Sequence, residues 1–172
     1  HYYNIEKEKF VSVPGQEAFI ILDHVRDNKT IWQNKECSVI DLGDGILNIE
    51  FRSKMNTIGA GVLQGINKGI DLAEQGYEGV VVGNNGANFS AGANLGMIFM
   101  LAVEQEYDEL NMAIKYFQDT MMRMRYSSVP TIAAPHGLTL GGGCELSMHA
   151  DKVVAAAETY IGLVEFGVGV IP

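Results

Sequence analysis

Beyond about residue 38, apolar and polar positions fall into short runs separated by glycine, and each run has the period of one element. Residues 38–42 and 46–51 read as strands, and Gly43-Asp44-Gly45 between them has the composition of a tight hairpin turn. The period then changes. Over 58–75 the apolar residues Ile58, Val62, Leu63, Ile66, Ile70 and Ala73 share one helical face, with Gly76 as a C-terminal stop. Gly79-Val80-Val81-Val82-Gly83 is apolar throughout, which predicts a buried parallel strand. Residues 84–93 form a loop rich in Gly and Asn. A long helix is expected over 104–126, with Leu110, Ala113, Ile114, Phe117, Met121 and Met124 as its apolar stripe. Pro130 blocks its continuation. A strand at 131–134, a turn at Pro135-His136-Gly137, a helix over 145–150 and a strand at 152–156 complete the pattern. Strands alternating with helices give an α/β fold class.

Residues 1–36 lack this order. They carry charged stretches such as Ile5-Glu6-Lys7-Glu8-Lys9 and read as a connector or extension, leaving 37–172 as the domain. The chain begins without Met and ends at Val170-Ile171-Pro172, directly after an apolar Gly-rich stretch, as expected of a piece of a longer protein. With 172 residues, 47% of them hydrophobic, it has enough apolar side chain for one core. A net charge of −9 argues against a nucleic-acid surface. Cys37 and Cys144 lack metal-ligand spacing and suit a reducing compartment. No apolar run reaches membrane-spanning length, so a cytoplasmic location is expected.

The candidate chemistry centres on Leu140-Gly141-Gly142-Gly143-Cys144-Glu145. Three glycines at a helix start can aim bare N–H groups at a developing negative charge, with the Glu145 carboxylate close behind. The competing reading is close helix–strand packing, with Glu145 as a first-turn charge. Glu165 follows among Ile161, Leu163, Val164 and Phe166, an apolar neighbourhood that suits a proton donor. The loop Asn88-Phe89-Ser90-Ala91-Gly92-Ala93-Asn94-Leu95 leaves the apolar strand, where α/β folds bind ligands. It also reads as an ordinary connection. Gly59-Ala60-Gly61-Val62-Leu63-Gln64 approaches a dinucleotide fingerprint. Its last position is Gln, however, and the expected downstream acid is replaced by Gly83-Asn84. His136 and His149 match no zinc motif and read as turn and helix-surface histidines. No metal is expected.

In order and spacing, four segments resemble the crotonase (enoyl-CoA hydratase/isomerase) superfamily. They are Lys54-Met55-Asn56, the loop 88–95, the stretch 133–146 containing the triple glycine, and Gly162-Leu163-Val164-Glu165-Phe166-Gly167-Val168-Gly169-Val170-Ile171-Pro172. The wording is closest to the crotonase region of bacterial two-domain 3-hydroxyacyl-CoA dehydrogenases. The resemblance implies a spiral of ββα units, here truncated at its C-terminus. It implies an oxyanion hole from the backbone N–H groups of Ala93 and Gly142. It implies catalysis by Glu145, which activates water, and Glu165, which exchanges a proton at the α-carbon. Coenzyme A contacts would fall on Lys54, Asn56, Ala91, Asn94 and Leu95.

The implied reaction is hydration of a 2-enoyl-CoA in fatty-acid β-oxidation, with an acyl-CoA as substrate and no cofactor in this chain. NAD would belong to a dehydrogenase region outside it, and the complete protein would be a trimer-based homo-oligomer. Without the family's C-terminal helices the isolated chain is expected to be weakly active or inactive. Asn94 replaces the family's usual Asp. An enoyl-CoA isomerase and a non-catalytic acyl-CoA-binding or assembly module are the alternatives.

Overall fold

The computed structural model describes residues 1–15 and 19–169; Val170-Ile171-Pro172 lie outside the described residues. In chain order the elements are β1 (Tyr2–Asn4), β2 (Lys9–Val11), α1 (Leu22–Lys29), β3 (Thr30–Gln33), β4 (Cys37–Gly43), β5 (Ile46–Phe51), α2 (Ala60–Ala73), β6 (Gly79–Val82), α3 (Leu95–Val103), α4 (Tyr107–Arg125), β7 (Thr131–Ala133), β8 (Leu138–Leu140), α5 (Gly142–His149), β9 (Lys152–Val153) and β10 (Tyr160–Gly162). Short 3₁₀ turns occupy Lys54–Asn56 and Glu165–Val168.

A six-stranded sheet runs in the order β3-β4-β5-β6-β7-β9. Its first three strands are antiparallel and the rest join in parallel. Each pass of the chain lays one strand in this sheet and one short stretch in a second layer. There Ile58 bridges Ala93, Ser90 bridges Thr139, and β8 pairs in parallel with β10. That double progression is the spiral of a crotonase fold.

The core lies between the large sheet and α2. Val39, Leu47, Ile49, Val80 and Val82 meet Val62, Leu63, Ile66 and Ile70, with Met121 and Met124 of α4 closing one side. Glycine lets α2 lie close to the sheet. A Cβ on Gly65 would stand 2.2 Å from Cys37 Sγ, and one on Gly69 would stand 2.6 Å from Ile49 Cδ1. Gly costs a helix roughly 1 kcal/mol relative to Ala. Here close packing makes Ala the worse choice.

The expected hairpin is present: Asp44 (φ 51°) and Gly45 (φ 74°) turn β4 into β5. The continuous apolar run is β6, paired in parallel on both sides. Several expectations are corrected. Order begins before residue 38, because β3 pairs antiparallel with β4 and α1 packs on the same strand. Arg26 of α1 makes this docking specific. Its Nε donates to Glu50 Oε2 at 2.9 Å and its Nη2 to Glu50 Oε1 at 2.6 Å, while Asp23 holds its other nitrogen. Glu50 is 2% exposed, so this fork neutralises a carboxylate inside the sheet. β9 is shorter than predicted, 152–153 rather than 152–156, and forms the exposed edge of the large sheet. Gly76 follows the end of α2 without taking a positive φ. The α4 stripe is buried only in its C-terminal half; Ile114 is 46% exposed.

Candidate active site

The loop after β6 is held by hydrogen bonds made largely by one serine and two asparagines. Ser90 Oγ donates to the Asn56 carbonyl at 2.7 Å and accepts from the Gly92 N–H at 3.1 Å. The buried Asn56 amide donates to the Asn88 carbonyl at 3.0 Å, and Asn88 Oδ1 accepts from the Leu138 N–H at 2.9 Å. Main-chain bonds between Ser90 and both Leu138 and Leu140 fasten the loop to β8. Ala91 N–H donates to the Met55 carbonyl and Ile58 N–H to the Gly92 carbonyl. Among the described residues, the Ala93 N–H has no acceptor. Neither does the Gly142 N–H, the first of α5 and an orphan by position.

Glycine brings these two amides together. Gly92 has φ 86°, and a Cβ there would meet Leu140 O at 2.7 Å and Gly142 N at 3.3 Å. The turn carrying Ala93 therefore lies against the start of α5. Each glycine of the triple run has a separate reason. Gly141 has φ 49°, and its Cβ would stand 2.9 Å from Glu165 Oε1. A Cβ on Gly142 would press on the Phe117 ring at 3.2 Å. A Cβ on Gly143 would stand 2.8 Å from Ser90 Cβ. Close packing and amides without acceptors thus coexist at this turn.

Glu145 lies one helical turn into α5, which begins at Gly142 rather than at Glu145 as the sequence suggested. Its carboxyl is half-buried. Burial pushes it above the usual carboxylate range, the charge of Glu165 adds to this, and His149 opposes it. Glu165 opens the last 3₁₀ turn, and its Oε2 is buried without a hydrogen-bond partner. The apolar neighbourhood expected around it faces outward instead, with Phe166 82% exposed. Burial also pushes the Cys144 thiol up, and both glutamates add to the effect.

Phe117, Gln118, Met121, Met122, Glu145 and His149 line a pocket of about 310 Å³ between α4 and α5. His149, partly exposed on the last turn of α5 as expected of a helix-surface histidine, borders this pocket. His136 is a turn residue, as expected, its Nε2 2.7 Å from the Gly86 carbonyl oxygen. Among the described residues no cluster of His, Cys, Asp or Glu could hold a metal ion. At the near-fingerprint, Glu36 Oε2 accepts from Gly61 N–H at 3.1 Å, so a carboxylate of the protein itself occupies the α2 N-terminus.

Of the remaining candidates, Lys54 is exposed in its 3₁₀ turn, and Ala91 is partly buried in the loop. Asn94 caps α3 by accepting from Met97 N–H at 3.2 Å, a role Asp also fills. Leu95 begins that helix and is 43% exposed. Sequence reasoning missed the Ser90 latch, whose signal is the small polar residue before Ala-Gly-Ala. It also missed Phe117 and His149 as neighbours of the site, which only tertiary packing brings there.

Comparisons with known proteins place the chain in a family. The family model "Enoyl-CoA hydratase/isomerase" matches residues 41–172. A Bacillus subtilis relative named "Probable 3-hydroxyacyl-CoA dehydrogenase" is 44% identical over 97% of this chain and 21% of its own length. A Colwellia psychrerythraea relative, "Fatty acid oxidation complex subunit alpha", is 31% identical over 83% of this chain and 20% of its own length. The chain thus spans about a fifth of these relatives. Among solved structures, an enoyl-CoA hydratase from Bacillus anthracis is 27% identical with a TM-score of 0.70, over 80% of this chain and 54% of that one. One from Thermoplasma volcanium is 26% identical with a TM-score of 0.69 over the same shares, 80% and 54%. With its spiral, paired glutamates and glycine-lined amides, the chain belongs to the enoyl-CoA hydratase/isomerase family.

Proposed function

We propose that this chain is the hydratase unit of a fatty-acid β-oxidation enzyme and adds water across the double bond of a 2-enoyl-CoA. The observation that carries the reading is the meeting of four groups at one turn. Gly92 seats the Ala93 amide beside Gly142, and Glu165 packs over Gly141 with its charge felt at Glu145.

The Ala93 and Gly142 N–H groups donate to the thioester oxygen as it gains enolate charge. Preoriented amides do this without reorganisation and can contribute several kcal/mol to the barrier. Glu145 takes a proton from water as the oxygen bonds to the β-carbon, and Glu165 supplies a proton to the α-carbon. Their summed proton count is unchanged, and exchange with solvent resets the pair. The Glu165 Oε2, buried and without a partner among the described residues, is uncommitted to any protein donor and so able to carry the proton for the α-carbon. Lys54 meets a coenzyme A phosphate as a point charge, while Ala91, Asn94 and Leu95 flank the thioester arm. Asn56 contributes by holding the loop. The relatives' names support a larger protein whose dehydrogenase step, with its NAD, resides outside this chain.

Loss of the enoyl-thioester absorbance on adding water to crotonyl-CoA tests the reading in the full-length protein. Glu145→Gln and Glu165→Gln should each slow hydration by about 10²–10⁴-fold, the worth of a lost acid–base group. Turnover near the wild-type rate in either variant would overturn it.

A further inference from the structure

Ser90 is wholly buried in the loop after β6, and its hydrogen bonds run toward both amides of the site. On one side its main chain joins β8. Ser90 N–H donates to the Leu138 carbonyl at 3.1 Å, and Leu140 N–H donates to the Ser90 carbonyl at 3.0 Å. β8 ends at Leu140, and Gly142 follows after one residue. On the other side the Ser90 hydroxyl accepts from the Gly92 N–H at 3.1 Å and donates to the Asn56 carbonyl at 2.7 Å.

The aim of the two amides follows from peptide geometry. In a planar trans unit the C=O of one residue and the N–H of the next point in opposite directions. The Gly141 carbonyl accepts from Glu145 N–H at 2.9 Å, so the Gly142 N–H points out of the α5 N-terminus. The Gly92 carbonyl accepts from Ile58 N–H at 2.8 Å, so the Ala93 N–H points away from Ile58. The first amide is locked by its helix. The second is carried on a glycine with φ 86°, a residue whose backbone turns freely unless its neighbours are tied. Ile58 ties the Gly92 carbonyl, and Ser90 Oγ ties the Gly92 N–H. The other bond of that hydroxyl reaches a turn in which Met55 and Asn56 hold φ of 54° and 52°, a pair that persists only where the surroundings support it.

We infer that Ser90 is a positioning residue for the oxyanion hole: its hydroxyl holds the Gly92–Ala93 peptide unit where the Ala93 and Gly142 N–H groups reach one thioester oxygen. The inference rests on the reading that these two amides hold an acyl-CoA thioester. Ser90 itself touches no substrate. Ser147 is the contrasting, purely structural case: it is 1% exposed, and its Oγ donates to the Gly143 carbonyl at 2.9 Å, within α5.

In the full-length protein, Ser90→Ala should lower kcat on crotonyl-CoA by about 10–10²-fold per folded molecule, since a misaimed donor fails mainly as charge develops on the oxygen. KM should change little. Ser147→Ala, which removes a buried hydroxyl bond of the same kind, should cost stability and leave kcat near the wild-type value. A readout independent of turnover is the infrared carbonyl stretch of bound butyryl-CoA carrying ¹³C at the thioester carbon, a ligand with no double bond to hydrate. On the wild-type protein the band should lie below its position in solution, and in Ser90→Ala it should move back toward that position. Should Ser90→Ala fail to fold, Ser90→Cys, a weaker hydrogen-bonding group of similar size, gives the same two readouts in the same direction. A band unmoved by the substitution, or a kcat near wild type, overturns the inference. A wild-type band that is displaced and then restored in Ser90→Ala sustains it even if crotonyl-CoA is not hydrated, in which case only the hydratase reading falls. A wild-type band at its solution position removes the amide pair as a thioester site, and the inference with it.

Discussion

The face of the large sheet under α2 and the small β8–β10 layer arise from the same passes of the chain, yet different forces hold them. Under α2, fully buried Val, Ile and Leu side chains interlock, and glycines admit the close approach of the helix. In the small layer the strands have three residues each and β10 is largely exposed. Main-chain bonds, the Ser90 latch and positive-φ glycines fix its geometry. Burial gives the first region its stability. The second uses backbone groups for position, which leaves two amides unspent for a ligand. The difference implies that substitutions in the small layer should cost activity before stability, and those beneath α2 the reverse.

The sharpest break of that contrast is Gly92→Ala. The new Cβ would stand 2.7 Å from a backbone oxygen, at a φ of 86°. Displacing the Ala93 amide removes one oxyanion donor, worth about 10²–10³-fold in kcat. Hydration per folded molecule should fall by that factor, while the strain of Ala at this φ costs about 1–3 kcal/mol of stability; hydration per folded molecule near the wild-type rate would merge the two regions. Next is Arg26→Ala, which strands the buried Glu50 carboxylate. It should destabilise by on the order of 3 kcal/mol in denaturant titration, with the residual kcat/KM per folded molecule unchanged. Gly65→Ala should cost about 1–3 kcal/mol by overpacking against Cys37, again without altering chemistry.

The smallest effect is expected at Arg123, which bridges α4 to Glu74 and Asp71 at the surface. Its hydrogen bonds, together with the Ser128 N–H, hold the Glu74 carboxyl down at about 2. A depressed carboxyl stabilises the fold above its ordinary range and loses that contribution as pH falls through about 2. Arg123→Ala should therefore cost at most about 1 kcal/mol at pH 7, with the cost shrinking as pH falls toward about 2 and absent below it. A difference that persists in acid would point to packing rather than charge.

The contrast also explains what could be read from sequence. The buried region was legible because burial writes periodicity. Val80-Val81-Val82 and the Ile58-to-Ala73 face name their elements without help. β8 and β10 were not, because three residues carry no period and their pairing joins positions 22 residues apart, Leu138 with Tyr160. The Arg26–Glu50 fork escaped notice for the same reason: two charges 24 positions apart look like surface residues until the sheet closes over one of them. Glu145 and Glu165 were legible as candidates from the glycine run and the apolar neighbourhood, and the resemblance gave them their roles. That Gly141 lies against the Glu165 carboxyl depends on a backbone angle no composition reveals. The place of His149 beside the pocket was not legible, because helical spacing shows which residues share a face and not which helix stands opposite.

The most direct measurement is a crystal structure of the full-length protein with a bound acyl-CoA thioester. The account predicts the thioester oxygen within about 3 Å of both the Ala93 and Gly142 nitrogens, with the Glu145 and Glu165 carboxyls beside the α- and β-carbons. A thioester oxygen that touches neither amide, or a ligand bound away from both glutamates, would contradict it.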